Sequence, residues 1–200
     1  MSQPPIVLAI TGASGLVYGQ RLLQVLLESK VGVHLTISDS AKVVAKHELN
    51  LDLDLHQFEI QQLLPGHASD GALTYHHYKD FMTPIASGSF KTRGMIVCPC
   101  SGGTMSGIAT ASSRNLIQRA ADVHLKENRP LVLVPREAPL SLIQIDNMRT
   151  ACAAGATILP ASPGFYQETG AVSDLVDFIA ARILDQFDIE HDLVGRWGVE

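Results

Sequence analysis

Five short apolar runs in this 200-residue sequence each end in a knot of small and polar residues. Ile6-Val7-Leu8-Ala9-Ile10 enters Thr11-Gly12-Ala13-Ser14-Gly15, and His34-Leu35-Thr36-Ile37 enters Ser38-Asp39-Ser40. Met95-Ile96-Val97-Cys98 enters Pro99-Cys100-Ser101-Gly102-Gly103-Thr104. Leu131-Val132-Leu133-Val134 enters Pro135-Arg136-Glu137, and Thr157-Ile158-Leu159-Pro160 enters Ala161-Ser162-Pro163-Gly164-Phe165-Tyr166. Short apolar runs bounded by turn signals read as strands buried on both faces, as in a parallel sheet. Such strands need long crossovers. Helical patterns supply them at 18–27 (with Leu22, Leu23, Leu26 and Leu27), 41–48, 104–111, 115–127 and 140–154. Ser173 is the expected N-cap of a last helix with an apolar stripe of Leu175, Val176, Ile179, Ile183 and Phe187. Residues 49–93 carry breakers at Pro65-Gly66, Ser69-Asp70-Gly71 and Thr83-Pro84, and the sequence assigns neither helix nor strand there. The alternation implies an α/β fold, a three-layer doubly wound parallel sheet, in one domain over residues 1–200. In open α/β sheets ligands bind beyond the carboxyl ends of the strands, so the five knots mark the expected site.

Composition removes several function classes. A net charge of −5 gives no basic stripe for nucleic acid. No run approaches the roughly 18 apolar residues that span a bilayer. The N-terminus has no basic n-region of a secretory signal. Three cysteines, Cys98, Cys100 and Cys152, make no disulfide framework and suit a reducing compartment. The expectation is a cytoplasmic protein without nucleic-acid or membrane partners.

Gly12-Ala13-Ser14-Gly15 follows a strand and opens a helix, where backbone N–H groups and the positive helix end can meet a phosphate. A nucleotide or phosphate ligand is expected there in preference to a bare turn. No Lys follows the glycines, so this is not a P-loop, and Gly12-x-x-Gly15-x-x-x-Gly19 misses the dinucleotide spacing. It approaches the glycine turn of short-chain NAD(P) reductases, and Tyr75-His76-His77-Tyr78-Lys79 supplies the Tyr-x-x-x-Lys letters of that family. That match lies in the irregular middle of the chain and reads as chance. Ser101 to Thr104 offers hydroxyls and N–H groups before a helix. Cys98-x-Cys100 alone is a weak metal motif, and both thiols read as buried small apolar groups. Arg119, Asp122 and Lys126 share one helix face at i, i+3 and i+7. Arg136-Glu137, after a fully apolar strand, is a charged pair placed where a sheet binds its ligand. The Arg suits a phosphate or ring carbonyl, and the Glu suits proton transfer. Tyr166 and Arg182 are further candidates at that edge.

Taken together, Thr11-Gly12-Ala13-Ser14-Gly15, Cys98-Pro99-Cys100-Ser101, the stretch from Arg119 to Glu127, Pro135-Arg136-Glu137-Ala138-Pro139-Leu140 and Pro163-Gly164-Phe165-Tyr166 resemble the UbiX-type flavin prenyltransferases. The resemblance runs from Ile6 to the Arg196-Trp197-Gly198 tail. It implies a flavodoxin-like Rossmann subunit that binds flavin, with the C-terminal helix and tail completing the site. It implies a homo-oligomer, commonly a dodecamer. The implied reaction is metal-independent transfer of a dimethylallyl group from dimethylallyl monophosphate to N5 and C6 of reduced FMN. The product, prenylated FMN, serves a UbiD-type decarboxylase, as in ubiquinone synthesis.

Matched by motif, Gly12, Ala13, Ser14, Ser38, Ser101, Gly102, Gly103, Thr104 and Arg136 hold FMN. Arg119, Lys126, Tyr166, Arg182 and Trp197 serve the prenyl phosphate, with Arg119 reaching it from a neighbouring subunit and Trp197 closing the pocket. Ser14, Glu48, Lys126, Glu137 and Tyr166 are the implied catalytic set, with Lys126 and Glu137 in one phosphate-end cluster. Either Glu137 or the departing phosphate serves as base at C6. The chain departs from many members at Asn128 and Arg114, and from some at Phe81, beside the prenyl site. Arg, Lys and Tyr donors would stabilise a departing monophosphate without a metal. Phe81, Tyr166 and Trp197 would surround an allylic cation.

Two other readings compete. FMN-dependent cysteine decarboxylases look similar at the first turn, but an active-site His is expected on their first helix region, and none lies between Gly12 and Val33. A plain flavin carrier needs the first three strand ends, and Glu137, Lys126 and Tyr166 argue against it.

Overall fold

A computed structural model of the chain describes residues 3–67, 72–165 and 170–195. In chain order, β1 (Ile6–Ile10) leads to α1 (Leu16–Glu28), β2 (Val33–Ile37), α2 (Asp39–Leu49), α3 (Ile60–Leu63) and β3 (Leu73–Tyr75). A 3-10 turn at Pro84–Ala86 precedes β4 (Gly94–Cys100), α4 (Gly102–Ala109), α5 (Leu116–Lys126) and β5 (Leu131–Pro135). The last elements are α6 (Leu142–Ala153), β6 (Thr157–Ile158) and α7 (Val172–Asp185). The strands form one parallel sheet in the order β3-β2-β1-β4-β5-β6.

The apolar runs explain the layering. Ile6, Leu8 and Ile10 of β1 join one core with Leu22, Leu23 and Leu26 of α1 and Ile179 and Ile183 of α7. Val7 and Ala9 point the other way, into a second core with Ile108 of α4 and Leu116, Ile117 and Ala120 of α5. All five residues of β1 are buried. Each large side chain so buried contributes about 1.5–3 kcal/mol, so the strand is stable only between two helical layers. From β1 the chain moves outward to β2 and β3, then returns to β4 on the other flank of β1. This reversal opens a crevice between the carboxyl ends of β1 and β4, the place where such sheets bind ligands.

The five sequence-derived inner helices lie within two residues of the observed ones at every boundary. Four expectations change, the first being the short helix α3 in the stretch left unassigned. A sixth strand, β3, pairs with β2 at the sheet edge through Leu73 opposite Val33. It has three residues, none of them fully buried, so it shows no apolar run. Of the strand expected over 157–160 only Thr157–Ile158 is regular as β6, although Leu159 N and Ala161 N go on donating to the Leu133 and Pro135 carbonyls of β5, both at 2.9 Å. The last helix takes Ala171, not Ser173, as its N-cap. The Asp174 carboxylate reaches back over the cap and accepts from Gly170 N and Ala171 N at 2.8 and 2.9 Å. A charged acceptor is stronger than a hydroxyl, and Ser173 is left to donate to Asp174 at 3.3 Å. Among the described residues no helix is long and apolar enough to cross a membrane.

Candidate active site

The ends of β1, β2 and β4 are tied into one floor. Thr11 Oγ1 donates to the Pro99 carbonyl and accepts from Ser101 N, both at 2.8 Å. A Cβ on Gly12 would collide with Ser40, so only glycine lets the turns after β1 and β2 lie this close. Gly15 has φ +95°, a left-handed conformation that glycine adopts at little cost. Ser38 caps α2, accepting from Ala41 N at 3.2 Å, and Ser101 caps α4, accepting from Thr104 N at 3.3 Å. Three helices thus start at neighbouring strand ends and turn their positive ends toward one crevice. The backbone at Gly103 is open, since a Cβ there would meet nothing within 4 Å.

Glu48 closes one side of this floor. It lies in the last turn of α2, yet its carboxylate accepts from Gly15 N at 2.9 Å and Leu16 N at 3.1 Å. Burial opposes its charge, but hydrogen bonds from the Ser14 side chain and both backbone N–H groups, with Arg136 nearby, hold Glu48 below the usual carboxylate range. Arg136 reaches over from the end of β5, and its Nε donates to the Ser14 carbonyl at 3.0 Å. Glu137 beside it is exposed, and its Oε2 accepts from Gln144 Nε2 at 3.2 Å. The structure therefore gathers Gly12, Ala13, Ser14, Ser38, Glu48, Ser101, Gly102, Gly103, Thr104, Arg136 and Glu137 along one edge. Gln144 was not singled out from the sequence. Its signal was Ser141-x-x-Gln144, a capping-box spacing that marks a helix start but not what the amide touches.

Other candidates fall elsewhere. Lys126 ends α5, just before β5 begins, whereas Glu137 follows the carboxyl end of that strand. Within one chain they lie a strand length apart, roughly 15 Å, so the single subunit does not form the expected Lys126–Glu137 cluster. Arg119, two turns earlier on α5, pairs with Asp122 at 3.1 Å and donates to the Ala86 carbonyl at 3.1 Å. Arg182 lies in the last turn of α7 and pairs with Asp185 at 2.8 Å. It lines a shallow groove of about 310 Å³ along the outer side of β6 with Thr157, Ile158 and Phe178. Tyr166 and Trp197 lie outside the described residues. Phe81 is exposed.

The competing chemistries lose their residues. Tyr75, the first member of the reductase-like pair, sits on β3 and donates its hydroxyl to the Leu55 carbonyl at 3.0 Å. Cys98 and Cys100 are buried, and burial raises both thiols, Cys100 to about 12. Neither is a ready nucleophile. What the edge offers is a floor of N–H and hydroxyl donors for a phosphorylated planar ligand. Beside it stand an arginine and a solvent-facing carboxylate able to carry a proton.

The "Flavoprotein" family model matches residues 1–184. The chain is 49% identical over 191 residues to "Flavin prenyltransferase UbiX" of Halalkalibacterium halodurans, covering 96% of this chain and 92% of that protein. Among solved structures it is similar to AnUbiX (PadA1) in complex with FMN and dimethylallyl pyrophosphate, with TM-score 0.88, 38% identity and 99% of each chain covered. It is also similar to a dodecameric FMN-dependent UbiX-like decarboxylase from Escherichia coli O157:H7, with TM-score 0.84, 38% identity, and 98% of this chain and 100% of that chain covered. The peptidyl-cysteine decarboxylase EpiD shares the fold alone, at 13% identity and TM-score 0.55, over 90% of this chain and 99% of that one.

Proposed function

The chain belongs to the UbiX flavin prenyltransferases, and we propose that it transfers a dimethylallyl group from dimethylallyl monophosphate to N5 and C6 of reduced FMN at the edge described above. The convergence of the β1, β2 and β4 ends with Arg136 and Glu137 carries this reading. A pure flavin carrier has use for Arg136 but no need of the solvent-facing Glu137 carboxylate beside it. The donor set suits FMN. The open Gly103 backbone, the Ser38, Ser101 and Thr104 hydroxyls and the Arg136 guanidinium offer hydrogen bonds to a phosphate and to ring acceptors. Bound reduced FMN supplies the nucleophilic atoms.

The chain's own residues then divide the work. Gly12, Ala13 and Ser14 hold the ring close to the β1 turn, and the ionised Glu48 fixes that turn by accepting from Gly15 and Leu16. Glu137 takes the proton from C6. Arg119, Lys126, Arg182 and Tyr166 hold the departing phosphate, and Trp197 closes over the site. Since Lys126 does not reach Glu137 within one subunit, neighbouring copies supply the cations. An exposed apolar patch of Leu140, Leu142, Ile143 and Ile145 beside Glu137 supports assembly, because lone subunits rarely leave such a cluster bare. The assembly is a homo-oligomer, a dodecamer on the pattern of the Escherichia coli relative. The whole chain acts as one flavin-binding unit in the cytoplasm, and its product passes to a UbiD-type decarboxylase.

The test is anaerobic incubation of the purified protein with FMN, a reductant and dimethylallyl monophosphate, followed by mass spectrometry of the flavin. A flavin heavier by one five-carbon prenyl unit is expected, with the pyrophosphate run in parallel as the competing donor. Unmodified flavin with both donors would overturn the reading.

A further inference from the structure

We infer that Gln144 is a positioning residue for Glu137, its side-chain amide fixing the carboxylate that receives the proton. This rests on the reading of Glu137 as the proton acceptor at C6. The amide is not free to point either way. Gln144 stands at the third position of α6, and its Oε1 accepts from the Ser141 backbone N–H at 2.8 Å and from the Ser141 hydroxyl at 3.0 Å. Ser141 Oγ accepts in turn from Gln144 N at 3.3 Å. A backbone N–H only donates, so the amide oxygen must face Ser141. The NH2 group is thereby turned away from the helix, and Nε2 donates to Glu137 Oε2. The opposite flip would set NH2 against N–H and oxygen against carboxylate, two repulsive contacts in place of two hydrogen bonds.

The placement also links two parts of the site. Gln144 Nε2 lies 3.4 Å from where a Cβ on Gly102 would sit, so the amide spans the gap between Glu137 and the turn after β4. Glu137 itself is solvent-facing, at the end of a strand. Among the described residues, Gln144 is the side chain hydrogen-bonded to it. A helix cap thus orients a carboxylate whose own packing leaves it loose, and the base is held ready at the flavin-facing edge.

Gln144→Glu is the discriminating variant, because Glu serves as well as Gln at the third position of a capping box. It keeps the cap, and in place of the donor it sets a like-charged carboxylate against Glu137. We expect Gln144→Glu to melt like the parent and to bind FMN as the parent does. Its kcat for flavin prenylation should fall on the order of 10-fold or more, with KM for dimethylallyl monophosphate within about two-fold. In a Glu137→Gln background it should cause no further loss, since a residue that acts through another is not additive with it. Parental kcat in Gln144→Glu, or a further loss on top of Glu137→Gln, would overturn the inference and leave the role of Glu137 standing. Full activity in Glu137→Gln alone would overturn that role, and the inference with it.

Discussion

Gly15 and Glu48 form a coupled pair at the start of α1. The left-handed glycine aims two backbone N–H groups at a carboxylate 33 residues away in sequence. A Cβ at this position would lie 2.9 Å from the Tyr18 ring. Gly15→Ala should therefore cost about 1–2 kcal/mol in urea unfolding and weaken FMN binding; unchanged values for both would contradict the role given to this turn. Two histidines set a pH dependence. Burial, helped by His76, pushes His34 down to about 4, and burial does the same to His124. Nδ1 of His124 lies 2.7 Å from the Ala120 carbonyl and Nε2 2.8 Å from the Thr92 hydroxyl, which suits a neutral ring donating at one nitrogen and accepting at the other. Their folded values lie below the ordinary histidine value of about 6.5, so the unfolded chain binds more protons between the two. Their contribution to stability is therefore fully present above pH ~6.5 and is lost progressively down to about pH 4. Urea unfolding across that window should show the slope, and His124→Gln should flatten it; a flat parental curve would refute the assignment.

At the scale of elements, β1 was the clearest signal and is the most committed piece of structure. Leu8 is fully buried between β2, β4 and the α1 layer. Leu8→Ala should destabilise the protein by about 2–5 kcal/mol in equilibrium unfolding, and a loss below about 1 kcal/mol would mean that the core collapses around the gap. Five crossover helices lie within two residues of where the same periodicity puts them, while the four-residue α3 is too short to show it. The periodicity missed β3, because an edge strand of three partly exposed residues carries no continuous apolar run. Nor could it say where α2 would go. The sequence marks its cap at Ser38, but only packing turns its last residues back toward the first turn and brings Glu48 to α1.

The whole molecule bears on the cations. Lys126 and Glu137 sit at opposite ends of β5, so both can serve one site only if two subunits share it. Lys126→Ala and Glu137→Gln should each be nearly inactive alone. Co-assembled in equal amounts, they should recover up to roughly a quarter of the parental activity, from sites that draw an intact residue from each subunit. No recovery in verified mixed oligomers would place both residues within one subunit. The apolar patch at the start of α6 predicts the matching assembly result: Ile143→Asp should shift the protein to smaller species in size-exclusion chromatography, and an unchanged elution volume would free that patch from the interface.

The order of residues alone reveals the strands buried on both faces, the longer helices between them, the glycine turn and the charged end of β5. These are local patterns, written in residues a few positions apart. Strand order and helix direction set the rest. Arg136 donates to Ser14 across 122 residues because β1 and β5 both flank β4. Lys126 is kept from Glu137 because α5 runs back to the far end of the sheet before β5 begins. Gln144 holds Glu137 because a helix cap fixes which way its amide faces.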